Sequence, residues 1–279
     1  MGDNRVDGAV FFAATEALRF LDNTLPGLSI KHDDAFASKL LLIYFGTRIH
    51  GAAAAVPILL TQRLGREAII MMRCQYDYWL KMLYYDTYHA EADAVIELVD
   101  KGAYEYEFQK KAHLDLSYLC EADIQKFDEL AKLAKEPNFT TEIVGGLRRD
   151  IAFQKAADAN DNPFAKWFYA NIDSTFAGHW KYGSSIVHAS PQDMPKVLVK
   201  SPDGSIMINV DSRMKAPNKT IADSAQRCFS AMSLLRWRFG LEYTPEHLEW
   251  PALLNGAMVP YLDEATDTYS MHDEVPVSS

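Results

Sequence analysis

The sequence predicts an all-α fold, a bundle of long antiparallel helices with a small β-hairpin insertion. Apolar side chains recur at helical spacing through most of the 279 residues. The stretch over residues 65–85 is apolar on most sides, which predicts a central helix packed by several neighbours. Only residues 196–210 alternate apolar and polar side chains, around a Ser-Pro-Asp-Gly turn. That segment is the predicted hairpin.

The first helices follow from the positions of apolar and helix-breaking residues. Residues 8–22 form the first helix, and a second run continues to about residue 63 with Pro57 inside it. Gly65 separates that run from the next helix, so the two are expected to form an antiparallel pair. The helical pattern then continues past residue 85, with a break near His89.

Further helical segments fill most of the remaining chain. Neither an internal repeat nor a long linker interrupts them, so residues 1–260 are predicted to form a single helical domain. Residues 261–279 are acidic and poor in apolar pattern, which predicts a flexible tail. The later helical segments are residues 103–119, 122–135, 141–151, 163–172, 173–189, 218–240 and 245–254.

Composition narrows the class of protein. The chain has 48% hydrophobic residues and a formal net charge of -10, so it is expected to be globular and to avoid nonspecific binding to nucleic acid or anionic membrane. Its three cysteines form no CxxC or Cys/His metal pattern, which is typical of reduced thiols in a cytosolic core. Neither a signal peptide nor a membrane span is predicted, so the expected location is the cytoplasm.

The first candidate site lies on the central helix. Arg66, Arg73, Asp77 and Lys81 fall within one narrow stripe when the chain is wound at about 100° per residue. Because Asp77 is four residues from both Arg73 and Lys81, one carboxylate can contact two cations. A guanidinium held by a carboxylate among aromatic rings can bind an anion or phosphate. The alternative is a solvated stripe of surface ion pairs.

Two further candidates lie elsewhere. Ser185 and His188 share a helical segment with Lys181, but no GxSxG elbow accompanies them. His188 is therefore interpreted either as a structural residue or as a group that transfers a proton or contacts phosphate. Arg48, together with His50, precedes the central helix, and an antiparallel pairing can bring it towards Arg73.

Metal and cofactor chemistry are not predicted. The histidines and carboxylates show neither HExxH nor the ExxH pattern of a di-iron bundle. A Walker loop and a strand followed by GxGxxG are also absent from the sequence, so no cofactor is expected. Arg236 and Arg238 flank Trp237, a pattern that can stack on a base but more often places arginine side chains over a buried ring.

These motifs resemble those of a family of all-helical bacterial proteins classified as a domain of unknown function. The matching elements are the small-residue segment over residues 52–60, Arg73 followed four residues later by Asp77, and the distant Tyr182, Ser185 and His188. The family has Glu where this chain has Asp77. The resemblance covers roughly residues 35–190 and implies an all-α fold, with activity left open.

A more remote resemblance is to the HEPN-type ribonucleases of stress and phage defence, which use an Arg and a His to cut RNA. Their compact Arg-x4-6-His motif does not follow Arg48 or Arg73 in this sequence. HEPN-like chemistry would therefore require Arg73 and His188 to meet across helices.

Two functions of different class are consistent with the sequence. The first is a noncatalytic scaffold or regulatory protein that associates with itself and uses the charged stripe as a structural network. The second is a ribonuclease or phosphate-contacting effector, for which RNA or a nucleotide is the partner. In the second, Arg73 stabilises negative charge, Asp77 orients Arg73 and His188 transfers a proton, while Arg48, Tyr182 and Ser185 bind and position the substrate.

Overall fold

The structure is a computed structural model of the full chain. It describes residues 6–30, 33, 35–100, 110, 112, 116–117, 119–134, 137, 139–158, 198–200, 205–208 and 216–261. Most of the predicted helix over 103–119, both predicted helices over 163–189 and the tail after Tyr261 lie outside these ranges.

The all-α fold is confirmed, with eight helices in the described residues. The predicted break near His89 falls at Tyr88, which ends one helix immediately before His89 begins the next. Short 3-10 turns, Leu25–Gly27 and Val259–Tyr261, follow the first and last helices. The helices are α1 Gly8–Thr24, α2 Phe36–Thr61, α3 Gly65–Thr87, α4 His89–Asp100, α5 Glu121–Leu133, α6 Thr141–Asp158, α7 Pro217–Arg238 and α8 Pro245–Met258.

Two three-residue strands, β1 Leu198–Lys200 and β2 Ile206–Ile208, pair antiparallel with Leu198 opposite Ile208. The turn between them, residues 201–204, lies outside the described ranges. The hairpin insertion over residues 196–210 as a whole therefore stays a prediction.

Helices α2 and α3 form the predicted antiparallel pair. The Ser38 hydroxyl near the start of α2 donates a hydrogen bond of 2.8 Å to the Tyr85 carbonyl near the end of α3. Phe45 stacks on Tyr85 with the ring planes 2° apart. Arg63 turns the chain between the helices with a φ of 62°, in the left-handed region that only a few non-glycine residues adopt.

Helix α2 is also long and apolar enough to cross a membrane, by length and composition alone. It is the one such helix in the described part of the chain, and half of its most apolar window is buried inside the protein. The core helix of a globular protein passes the same test.

Helix α7, rather than α3, is the central helix of the described part. Of its 22 residues 16 are buried, against 12 of 23 in α3. It packs against α1, α2, α3 and α8. Its approach to α2 is close because Gly46 faces Leu235, whose Cδ1 would lie 2.9 Å from a Cβ at position 46. The predicted packing of α3 by several neighbours is confirmed by its contacts with α2, α4, α6 and α7, although neighbouring helices surround α7 more completely.

Helix α8 packs antiparallel to α1 through a buried tryptophan. The Trp250 indole N–H donates a hydrogen bond of 2.8 Å to the Ala13 carbonyl, and the ring stacks on Phe229 of α7 at 4.2 Å between centroids. At one end of this helix pair, the Tyr261 hydroxyl donates a hydrogen bond to Asp7, the N-cap of α1. The tryptophan therefore joins three helices.

His247, at the start of α8, is buried with its ring 4.5 Å from that of Phe20. Its Nδ1 accepts a 2.9 Å hydrogen bond from the Thr244 backbone N–H, so Nδ1 carries no proton. Burial, followed by the repulsion of Arg236, lowers the pKa of His247 from 6.5 to about 4. Glu246 favours the charged form and Arg19 opposes it, but both effects are smaller.

Acid is therefore expected to destabilise the protein through His247. Because the folded-state pKa lies below the unfolded-state value, the unfolded chain binds the extra proton between about pH 6.5 and 4. The contribution of the neutral His247 to the free energy of unfolding is complete well above pH 6.5 and is lost as the pH falls towards 4, by on the order of 3 kcal/mol. Urea denaturation across this range measures it. The variant His247→Gln keeps a hydrogen-bond acceptor near Thr244 but cannot titrate, so this part of the pH dependence of the unfolding free energy should vanish. An equal pH dependence in both proteins would contradict the assignment to His247.

Candidate functional site

The charged stripe of α3 forms both of the predicted ion pairs. Arg73 Nη1 lies 3.2 Å from Asp77 Oδ1, and Lys81 Nζ lies 3.5 Å from Asp77 Oδ2. The three side chains are 16%, 25% and 14% exposed for Arg73, Asp77 and Lys81 respectively. This exposure is well below that of a typical surface pair, so water and salt screen the pairs only partly.

One end of the stripe reaches an aromatic cluster beside α6. Tyr84 lies one helical turn beyond Lys81 and contacts the rings of Tyr88 and Phe139, at 4.8 and 6.3 Å between centroids. The Tyr88 hydroxyl donates a hydrogen bond to Asp150 of α6. Burial, then this hydrogen bond, raises the pKa of Tyr88 well above its ordinary value. Tyr88 is therefore a neutral hydrogen-bond donor that ties α3 to α6.

Arg48 projects from α2 to the neighbouring edge of α3. Its Nη2 donates a 3.3 Å hydrogen bond to the Tyr78 hydroxyl, and its Cζ lies 5.4 Å from the centre of that ring. The hydrogen bond raises the pKa of the Arg48 guanidinium. Tyr44, 53% exposed, lies one turn before Arg48 on the same helix. An exposed cation therefore sits between two tyrosines at this edge.

Cys74 lies next to Arg73 in α3, and the charge of Arg48 on α2 also affects its thiol. Burial raises the pKa of the Cys74 thiol, and the smaller effects of its neighbours oppose one another, since Arg73 and Arg48 lower it and Asp77 raises it. Arg48 binds Tyr78 across the antiparallel pair, and its approach to Arg73 stays a prediction.

The distances above do not include the predicted site residues from the distant helical segment. Tyr182, Ser185 and His188 lie outside the described residues. The convergence of His188 on Arg73 and Asp77 therefore stays a prediction.

A buried polar contact between α3 and α7 was not anticipated. Gln75 is completely buried, and its Nε2 donates a 2.9 Å hydrogen bond to the Ser224 carbonyl. Beside it, the buried Arg227 guanidinium lies 5.4 Å from the centre of the Tyr76 ring. Among the described residues, Gln75 Oε1 and Ser224 Oγ have no hydrogen-bond partner. A glutamine within the apolar face of α3 was the only sequence signal for this contact.

One crevice among the described residues offers little room for a ligand. A narrow crevice between α1, α2 and α7 has an empty volume of about 180 Å³ and is lined by apolar groups except for Ser224. In the described ranges, no group of three His, Cys, Asp or Glu residues is arranged to hold a metal ion. Among the described residues, the surface formed by Arg48, Cys74, Tyr78, Arg73 and Asp77 is the best candidate for a site.

Comparisons of this chain with protein-family models, with curated proteins and with solved structures give no match.

The ion pairs of the stripe can be tested by Asp77→Asn, which removes the charge that both cations contact. The variant is expected to lose about 1 kcal/mol of unfolding free energy at low salt, and less at high salt, where screening weakens the pairs in the wild type. Urea denaturation at low and high NaCl concentration measures both effects. Asp128→Asn, which removes the more exposed pair with Lys110, is the matched control and should change stability by less than about 0.5 kcal/mol. Equal losses in the two variants would contradict a special role for Asp77.

Proposed function

We propose that this chain is a noncatalytic helical scaffold or regulatory protein of the bacterial cytoplasm, which associates with copies of itself. The observation that carries the proposal is the position of Asp77, whose two oxygens each face a different cation. A carboxylate engaged on both sides neutralises its neighbours rather than serving as a base. The stripe is then a structural network at the edge of the core.

Exposed apolar side chains support the association. Tyr44 and Ile58 on α2 are 53% and 59% exposed, and Leu248 and Leu253 on α8 are 52% and 42% exposed. Contacts between proteins are enriched in such aromatic and aliphatic groups at the centre of the interface.

Sedimentation velocity over a wide range of protein concentration tests this function. The expected result is a sedimentation coefficient that rises with concentration towards that of a dimer or larger assembly. A single monomer species at every concentration would contradict self-association.

A second candidate function, a HEPN-like ribonuclease or phosphate-contacting effector of stress or phage defence, is favoured by a different observation. Arg48 lies one helical turn after the exposed Tyr44 and bonds to Tyr78 of α3, the helix whose charged stripe includes Arg73. Together with Lys81, these two arginines outnumber the single carboxylate of Asp77. Such a surface suits a phosphate and a stacked base. In this function His188 transfers the proton, and Tyr182 and Ser185 position the RNA.

RNA turnover by the wild type, Arg73→Ala and His188→Ala tests the second function. Loss of a general acid or base is expected to reduce the rate by about 100-fold or more. Arg19→Ala, which removes an exposed arginine on α1, is the control and should retain the full rate. Equal turnover by all four proteins, or none by the wild type, would contradict the ribonuclease.

A further inference from the structure

The outer face of α2 carries an uncharged stripe at the spacing of a coiled-coil seam. Successive members are separated by four, three, four, three and four residues, the alternation that keeps one face of a helix against a partner helix. We call this the α2 stripe; its members are Leu40, Tyr44, Thr47, Gly51, Ala54 and Ile58.

Much of the α2 stripe is open to solvent. Tyr44 and Ile58 are 53% and 59% exposed, and Thr47 and Gly51 between them are also exposed. A Cβ added to Gly51 would meet no atom within 4 Å. The small residues at the middle of the stripe leave space in which another backbone can approach closely.

The two exposed large side chains of the stripe are placed symmetrically. Tyr44 and Ile58 are each seven residues from Gly51, about 10.5 Å along the axis in opposite directions. A second α2 running antiparallel, with a two-fold axis at Gly51, therefore sets each Tyr44 against the partner's Ile58. Large groups then pack at both ends of the crossing while the glycines meet at its centre. In this orientation each Tyr44 meets an Ile58, whereas a parallel two-fold dimer would pair Tyr44 with Tyr44 and Ile58 with Ile58.

The distribution of charge favours a second copy as the occupant. The chain has a formal net charge of -10, yet α2 contains no Asp or Glu. Two copies can therefore meet here without burying a carboxylate. An antiparallel crossing also sets Arg48 opposite the partner's Ala54, whereas a parallel one would set the two Arg48 side chains against each other. A nucleic acid would require more cations than this face provides.

We propose that a second copy of this chain docks on the α2 stripe through a two-fold, antiparallel crossing at Gly51. The inference rests on the proposed self-association and names its surface. It adds a register, in which Tyr44 of one copy meets the partner's Ile58.

Cross-linking tests the register. Single variants Tyr44→Cys and Ile58→Cys are made in a Cys120→Ser background, because Cys120 is the exposed thiol of the described residues. A short bifunctional maleimide should link a mixture of the two variants into dimers. Each variant alone should link poorly, because two copies of position 44 would lie about 21 Å apart along the axis. Tyr44→Cys mixed with Leu248→Cys, an equally exposed position on α8, is the control.

The dimer dissociation constant tests whether the α2 stripe is the interface. Ile58→Glu is expected to raise the dimer dissociation constant at least tenfold, because it places a carboxylate at the interface. Leu248→Glu, a matched exposed position away from α2, should leave the constant unchanged. Circular dichroism confirms that both variants retain the fold, and sedimentation equilibrium gives the constants.

The outcomes separate this surface from self-association itself. A wild-type monomer at all concentrations overturns both proposals. A dimer that Ile58→Glu leaves intact, with no link between positions 44 and 58, overturns this surface alone. Flotation with vesicles of phosphatidylcholine and phosphatidylglycerol by the wild type, but not by Ile58→Glu, assigns the stripe to lipid and also overturns the proposal. Weakened association in Ile58→Glu together with the 44-to-58 link supports it.

Discussion

Burial of α7 against α1, α2, α3 and α8 is the constraint on which the described fold depends. A helix enclosed to this extent requires a shallow surface where a neighbour crosses it, and Gly46 supplies that surface for Leu235. It also requires that polar groups facing inward be bonded. Gln75 Nε2 is bonded to the Ser224 carbonyl and the Thr220 hydroxyl to the Ala216 carbonyl, whereas Gln75 Oε1 and Ser224 Oγ have no partner among the described residues. Because α7 is late in the chain, the first helices complete their core only after it has docked.

The charged stripe of α3 lies at the boundary of that core. One face of α3 is buried against α2 and α7, so its charges are confined to the opposite edge, where Arg73, Asp77 and Lys81 are only 14–25% exposed. Partly desolvated charges are costly unless they are paired, and the four-residue spacing provides the pairs within one helix. The exposed Arg48 lies at the neighbouring edge of α3, where it binds Tyr78. The same residues can therefore serve either as a structural network or as an anion site. Catalytic side chains on a second helix would distinguish the anion site from the structural network.

Helical periodicity and breaking residues located most elements within a few residues. The pairing of α2 with α3 follows from the short connection at Gly65, and the break before His89 follows from the local pattern. The buried positions Val144, Leu147 and Ile151 of α6 follow from helical periodicity, which sets the residues on one helix face. The Arg73, Asp77 and Lys81 pairs are predictable for the same reason, since one helix sets their spacing. The Gln75 to Ser224 bond was not predictable, because its partners are 149 residues apart.

The sequence by itself determined the helical class, the boundaries of most described helices and the ion pairs within α3, because these depend on interactions between residues three or four apart. Only the tertiary structure decided that α7 is central, that Arg48 binds Tyr78 and that Trp250 joins three helices. It also decided which apolar side chains of α2 stay exposed, the feature from which the α2 stripe is inferred. Each of these depends on how helices pair across long separations in the chain, and a periodic pattern contains no information about that register.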